Sequence, residues 1–203
     1  MKKIMFNDRF GLTQAVLDGR KTMTRRIIGN VEKIDSHFNI DDRLIGDVFE
    51  VSQYAGTVKS TYRIGEEVAV AQSYKDCWDI YQQRWEAKND TSDWHTPDAI
   101  LGDQVDTVKG WTNKMFVRAD LMPHRIRITN IKAERLQDIS EEDAMREGIK
   151  KMEEGMPYRF DENGKIHLSA DPRMLFADLI DRISGRGTWQ RNPWVFAYEF
   201  ELV

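Results

Sequence analysis

Apolar positions recur along this chain with two periods, and the switches between them mark out its elements. Leu12, Ala15 and Val16 stand at i, i+3 and i+4 between Asn7 and Asp18, which is one face of a helix. Asn7 or Asp8 caps its start, and Gly19 sits where a helix stops. Thr24-Arg25-Arg26-Ile27-Ile28 is β-leaning, so residues 19–26 read as a helix-to-strand corner. A short apolar β-leaning segment, residues 1–6, precedes them. Residues 29–56 read as polar and irregular, punctuated by Gly29, Gly46 and Gly56, with a surface excursion from Asp35 to Asp42. A strand is predicted over 57–63, a turn at Gly65-Glu66, and a mostly buried strand from Glu67 to Gln72.

Trp78, Tyr81 and Trp85 fall at i, i+3 and i+7, which predicts an aromatic-faced helix. The stretch through Trp94, His95, Pro97, Gly102, Gly110 and Trp111 reads as loop, and a loop of this length inside a domain is a lid or an ordered insertion. The aromatic-rich insertion spans about 75–113. Strands are predicted at Met115-Phe116-Val117 and over Arg125–Thr129, where Ile126 and Ile128 face inward and Arg125 and Arg127 share the other side. Ser140-Glu141-Glu142-Asp143 resembles a capping box and opens a helix that runs to about Glu147 and stops at Gly148. Asn163-Gly164 is a tight-turn signal. Asp171-Pro172 starts a helix with Leu175, Phe176, Leu179, Ile180 and Ile183 on one face, ended by Gly185. From Trp194 to Val203 the chain alternates Trp194, Phe196, Tyr198, Phe200 and Leu202 against Val195, Ala197, Glu199 and Glu201, predicting a strand with one buried face. Strands and helices do not alternate regularly, so the order predicts an α+β fold on a small, mostly antiparallel β-barrel with flanking helices, rather than a doubly wound sheet.

Length and composition narrow this further. The 203 residues suffice for a single domain, 1–203, carrying that insertion. Charged residues make up 32% and hydrophobic ones 40%, as in a folded globular chain. No run of 18 apolar residues predicts a membrane span, and the start has no apolar core of a secretory signal. The single Cys77 excludes an internal disulfide and a cysteine zinc cage. Together these predict a cytoplasmic protein. His37, His95, His124 and His167 lie far apart, without metal-ligand spacing, and no nucleotide-loop glycine pattern occurs, so neither metal nor cofactor is expected. Oligomeric state is not legible. The net charge of −4 argues against non-specific coating of nucleic acid. Cations nevertheless cluster, once at residues 19–26 and again as Lys114, Arg118, Arg125, Arg127, Lys132 and Arg135, a pattern suited to a confined anionic ligand.

The densest chemistry is Gly19-Arg20-Lys21-Thr22-Met23-Thr24-Arg25-Arg26. It reads either as a solvated basic face or as an anion or nucleotide site on which backbone amides and cations converge. Gly19-x-Lys21-x-x-Thr24-x-Arg26 resembles the signature of ASCH domains, relatives of the PUA RNA-binding domains. Met122 to Ile126, Glu134 to Ala144 with Glu147-Gly148-Ile149, and Trp189 through Val195 are similar to the longer, often prophage-associated members. The resemblance covers roughly 4–30, 62–74 and 114–203, and implies a PUA-like barrel that binds RNA or a modified nucleoside or nucleotide. It also implies a second reading, because small bacterial members hydrolyse N4-acetylcytidine with a Lys, a Thr and a Glu. Carried over, these catalytic residues are Lys21, Thr24 and Glu147. The ligand-binding set is Gly19, Arg20, Thr22, Arg25, Arg26, Gln72, Tyr74 and Arg125, with Tyr74 or a tryptophan stacking on a base. Many longer members end the buried strand in Arg-Glu where this chain has Ala71-Gln72, so that Gln72 keeps the hydrogen bonding of that Glu and loses its charge. Binding needs no activated nucleophile; hydrolysis needs the Lys21 amine to take a proton from Thr24.

Overall fold

The computed structural model describes residues 1–29, 40–45, 48–51, 57–88, 110–153 and 157–203. The fold is α+β. In chain order the elements are β1 (Lys3–Ile4), α1 (Leu12–Leu17), β2 (Met23–Ile27), β3 (Ile40–Ile45), β4 (Val48–Val51), β5 (Thr57–Lys59), β6 (Glu67–Val70) and α2 (Tyr74–Lys88). They continue with β7 (Arg125–Arg135), α3 (Glu141–Arg146), β8 (Lys150–Lys151), β9 (Tyr158–Glu162), β10 (Lys165–Ser169), α4 (Pro172–Ser184), α5 (Thr188–Arg191) and β11 (Trp194–Leu202). These residues group into two compact units. The first is Met1–Phe6, Glu67–Ile126 and Val203; the second is Asn7–Glu66 and Arg127–Leu202. Residues 35–39 of the expected excursion, and Trp94, His95, Pro97 and Gly102 of the expected loop, lie outside the described residues.

In the first unit β1 pairs in parallel with β6, setting Lys3 beside Ala69 and Ile4 beside Val70. Val68, Ala69, Val70 and Ala71 are all fully buried, and the Val70 amide donates to the His124 carbonyl at 3.0 Å, at the entry to β7. Ser73 and Asp76 cap α2 reciprocally: the Asp76 carboxylate accepts from the Ser73 amide at 3.0 Å, and the Ser73 hydroxyl from the Asp76 amide at 3.1 Å. The predicted strand at 115–117 does not form. The Lys3 ammonium donates to the carbonyls of Lys114, Met115 and Val117 at 3.2, 2.5 and 3.0 Å, and the Lys114 ammonium donates to the Phe6 carbonyl at 2.9 Å. Carbonyls held by an ammonium do not build a strand ladder, so the segment is a clamped turn with Met115 and Phe116 exposed.

Cys77 of α2 is buried, packed with Ala69, Ala71, Val117 and Met122. Burial pushes its thiol up to about 12, with Asp76 adding to the shift. A thiol reagent at pH 8 is therefore expected to label the unfolded chain and leave the native one untouched, because the thiolate is the reacting form. The unfolded thiol titrates near 9. The stability it contributes is thus complete below pH 9 and falls as pH rises towards 12. Urea midpoints of the parent and of Cys77→Ala, compared from pH 8 to 11, test that sign.

In the second unit the strand order is β7-β11-β2. β11 runs antiparallel to β2, with Ala197 opposite Arg25 and Tyr198 opposite Thr24. The expectation of one buried face on β11 is corrected: Val195 and Ala197 are as buried as Phe196 and Tyr198. The strand has neighbours on both edges, and both faces are covered over this span. Two three-stranded sheets complete the unit, in the orders β3-β4-β5 and β10-β9-β8. The first places strands where 29–56 read as irregular. Its apolar residues are interrupted by Asp41-Asp42-Arg43 and Gly46-Asp47, which hides the alternation. The Asn163-Gly164 signal becomes the β9–β10 turn, with φ of 47° and 84°, as a two-residue hairpin requires. The predicted Asn7–Asp18 helix is divided by Gly11 (φ 63°) into a 3-10 turn at Asp8–Phe10 and α1. Leu12, Ala15 and Val16 still face the core.

Candidate functional site: a buried ion cluster at the α1–β2 corner

The corner forms because Gly19, at φ 71°, takes the left-handed turn that ends a helix. The amides of Gly19, Arg20 and Lys21 then close the last turn of α1, donating to Val16 at 2.9 Å and to Ala15 at 2.9 and 2.8 Å. The Thr22 amide donates to the Arg146 carbonyl at 3.0 Å. The expectation that these amides converge on a bound group is therefore corrected: helix termination and α3 use them.

The side chains separate. Arg20 stays at the surface, paired with Asp18 at 2.9 Å. Lys21 is buried, and its ammonium donates to the Met23 carbonyl at 2.8 Å, the Glu147 carbonyl at 2.7 Å and the Glu147 carboxylate at 2.6 Å. Three donors are what an ammonium has. Burial nonetheless holds the Lys21 pKa below that of an ordinary lysine; Glu147 opposes the shift, and Arg26 and Arg25 add to it.

Arg25 is as deeply buried. Its guanidinium reaches Glu134 at 2.6 Å, Asp143 at 2.9 Å and Glu147 at 3.2 Å, and lies 6.0 Å from the ring centre of Phe176 on α4. Burial disfavours its charge, yet Glu147 and Glu134 overcome this and raise its pKa. Lys132 meets the second oxygen of Glu134 at 2.7 Å. Arg146 pairs with Glu199 at 2.7 Å and with Asp143 at 3.6 Å, and donates to the Thr22 hydroxyl at 3.2 Å. Lys21, Arg25, Lys132 and Arg146 thus stand against Glu134, Asp143, Glu147 and Glu199, so the cluster is balanced in charge. Two of the four cations of the basic stretch lie inside the protein.

Of the expected residues, the fold brings together Lys21, Thr22, Arg25 and Glu147. Thr24 and Arg26 lie on the opposite face of β2 from Met23 and Arg25, as strand alternation dictates. On that side Tyr62 packs edge-on to Tyr198 at 5.1 Å, and the Tyr198 hydroxyl bonds Ser60 at 2.9 Å. Burial pushes the Tyr62 hydroxyl up while the Arg26 charge opposes it, which places the half-buried Arg26 within electrostatic reach of Tyr62.

Gln72, Tyr74 and Arg125 belong to the first unit. Gln72 is buried, and its side-chain oxygen has no hydrogen-bond partner among the described residues. Tyr74 stacks on Trp111 at 6.2 Å with the rings 5° from parallel. Arg125 is half exposed near Glu67, at 3.8 Å.

Sequence reasoning missed Glu134, Asp143, Arg146 and Glu199 as members of the cluster. Asp143 carried a signal, since the capping box places it in the first turn of α3, where the Ser140 hydroxyl accepts from its amide at 3.0 Å. Among the described residues no group of three His, Cys, Asp or Glu is arranged to hold a metal, and no helix is long and apolar enough to cross a membrane. No family model, curated protein or solved structure matches this chain.

Proposed function

We propose that this is an ASCH-type protein with a PUA-like barrel, and that it binds RNA or a modified nucleoside or nucleotide at the corner built from residues 19–26. One observation carries the reading: Lys21 of the sequence signature lies, with its neighbour Arg25, in the largest concentration of buried charge among the described residues of the second unit. Buried ion pairs contribute little net stability compared with well-packed apolar residues. Holding Lys21, Arg25 and Glu147 in one interior network at a signature motif therefore supports a task beyond stability, and strongly perturbed groups gather at functional sites. Arg26, half-buried and within electrostatic reach of Tyr62, supplies a planar cation of the kind that meets a phosphate.

The second reading, hydrolysis of an N-acylated nucleobase, is favoured by Lys21 itself. Its lowered pKa moves it towards a lysine able to take a proton from a hydroxyl, and Glu147 is placed to orient it. That chemistry requires Thr24 to approach the amine from the other face of β2.

The test has two arms. N4-acetylcytidine and related N-acylated nucleosides are incubated with the parent and with Lys21→Ala, and products are resolved by chromatography. Short RNAs are titrated at two salt concentrations against the parent and Arg26→Ala. Binding that weakens with salt and with Arg26→Ala, without product, supports the first reading. Turnover lost in Lys21→Ala supports the second. Neither binding nor turnover would refute both.

A further inference from the structure

We propose that β10 is a self-pairing edge through which two copies of this chain join into one antiparallel sheet. β10 is an outer strand of the β10-β9-β8 sheet, and its register with β9 runs from Lys165 opposite Glu162 to Ser169 opposite Tyr158. In a two-residue hairpin the residues flanking the turn exchange both backbone bonds, and pairs alternate thereafter. Lys165, His167 and Ser169 therefore bond β9, while the amides and carbonyls of Ile166 and Leu168 point away from it. Neither Ile166 nor Leu168 has a backbone partner among the described residues. The same two residues expose their side chains, Ile166 at 51% and Leu168 at 58%. Open edges in proteins are ordinarily blunted by outward charge or proline; at these two positions this one carries neither.

The occupant that fits is a second β10. Antiparallel pairing about His167 sets Ile166 against Leu168 of the second copy and Leu168 against its Ile166. All four outward backbone groups of each copy are then satisfied, and the four aliphatic side chains fall on one face of a six-stranded sheet. Charge agrees with that direction. The strand opens on exposed Lys165 and is followed by exposed Asp171, so antiparallel pairing brings the cationic end of each copy towards the anionic end of the other. The contact is two-fold and isologous, which closes the assembly at a dimer. A five-residue strand covers far less than the roughly 800 Å² per partner of a standard interface, so the dimer is weak. This proposal does not depend on the ligand.

Sedimentation velocity over about 5 to 500 μM tests it, spanning the affinity expected of so small a contact. The parent is expected to pass from monomer to dimer, and the amides of Ile166 and Leu168 to gain hydrogen-exchange protection as it does. Ile166→Pro removes an outward donor while sparing the bonds to β9, and Leu168→Lys places a charge on the edge. Each is expected to weaken association at least tenfold, whereas Ile64→Lys, at a residue 50% exposed elsewhere in the unit, leaves it unchanged. A monomer at every concentration, or a dimer indifferent to both edge substitutions, overturns the proposal. If the proline variant fails to fold, the lysine variant and the protection pattern decide.

Discussion

Replacing Glu147 by alanine is expected to destabilise the protein by about 3–5 kcal/mol at neutral pH, the usual cost of removing one member of a buried pair. The other anions of the cluster have second partners: Glu134 keeps Lys132 and Asp143 keeps Arg146. Among the cations, Arg25 keeps Glu134 and Asp143. Lys21 is paired with Glu147 at 2.6 Å, and the loss strips away the main influence that holds up its pKa. The ammonium can escape by losing its proton, which limits the penalty. This fixes a pH signature. In the variant the folded state releases the Lys21 proton well below 10.5 while the unfolded chain holds it until about 10.5. The unfolded state then binds more protons across that window, so stability rises with pH. The deficit of Glu147→Ala relative to the parent should therefore shrink between pH 7 and 9.5 in urea unfolding followed by circular dichroism. A second substitution, Lys21→Met, should recover much of the loss, because it removes the stranded charge rather than adding damage. A single variant within about 1 kcal/mol of the parent would show that the pair is not energetically buried.

Gly148→Ala should cost about 2–5 kcal/mol, combining the strain of a left-handed backbone with overpacking. Gly148 follows Glu147 at φ 113°, a conformation that L side chains rarely adopt. A Cβ there would also stand 3.0 Å from Leu12 Cδ2 and 3.7 Å from Lys21 Cδ. It would press the end of α3 away from α1 and disturb the lysine beneath. Thermal unfolding by calorimetry measures this directly. Gly164→Ala is the informative comparison: it has a positive φ of 84° but no atom within 4 Å of the new Cβ, so it carries the backbone strain without the collision. Equal losses at the two positions would mean that the contact with Leu12 is immaterial.

Much of this architecture was legible because local signals were strong. Asp171-Pro172, Ser140 with Asp143, Asn163-Gly164 and the strand period of β11 each carry their own stereochemistry, and each element formed where it was read, with the burial of β11 the exception. Failures came where a distant group outvoted the local pattern. Met115-Phe116-Val117 has strand-forming residues, but Lys3 holds the surrounding carbonyls. The basic stretch read as surface or ligand site because Glu134, Asp143 and Glu147, which neutralise its buried members, lie 109, 118 and 122 residues away from Arg25. Alternation predicts that neighbours such as Thr24 and Arg25 face opposite ways; it does not say which side holds the carboxylates. The second face of β11 was missed for a related reason, since alanine and valine between aromatics look like outward positions until both faces of the strand are known to be covered.

The Lys3 clamp bears on how the chain is made. Its three carbonyls belong to residues 111 to 114 positions later, and β1 also needs β6. During synthesis residues 1–6 must therefore wait for more than a hundred later residues before they find their place. Loops of that length are slow to close and favour late docking. The opening segment, Met1-Lys2-Lys3-Ile4-Met5-Phe6, is apolar at three of its last four positions in strand-like order, and during that wait it is an unpaired strand of the kind nascent-chain binders hold. By this geometry residues 1–6 are among the last of their unit to fold.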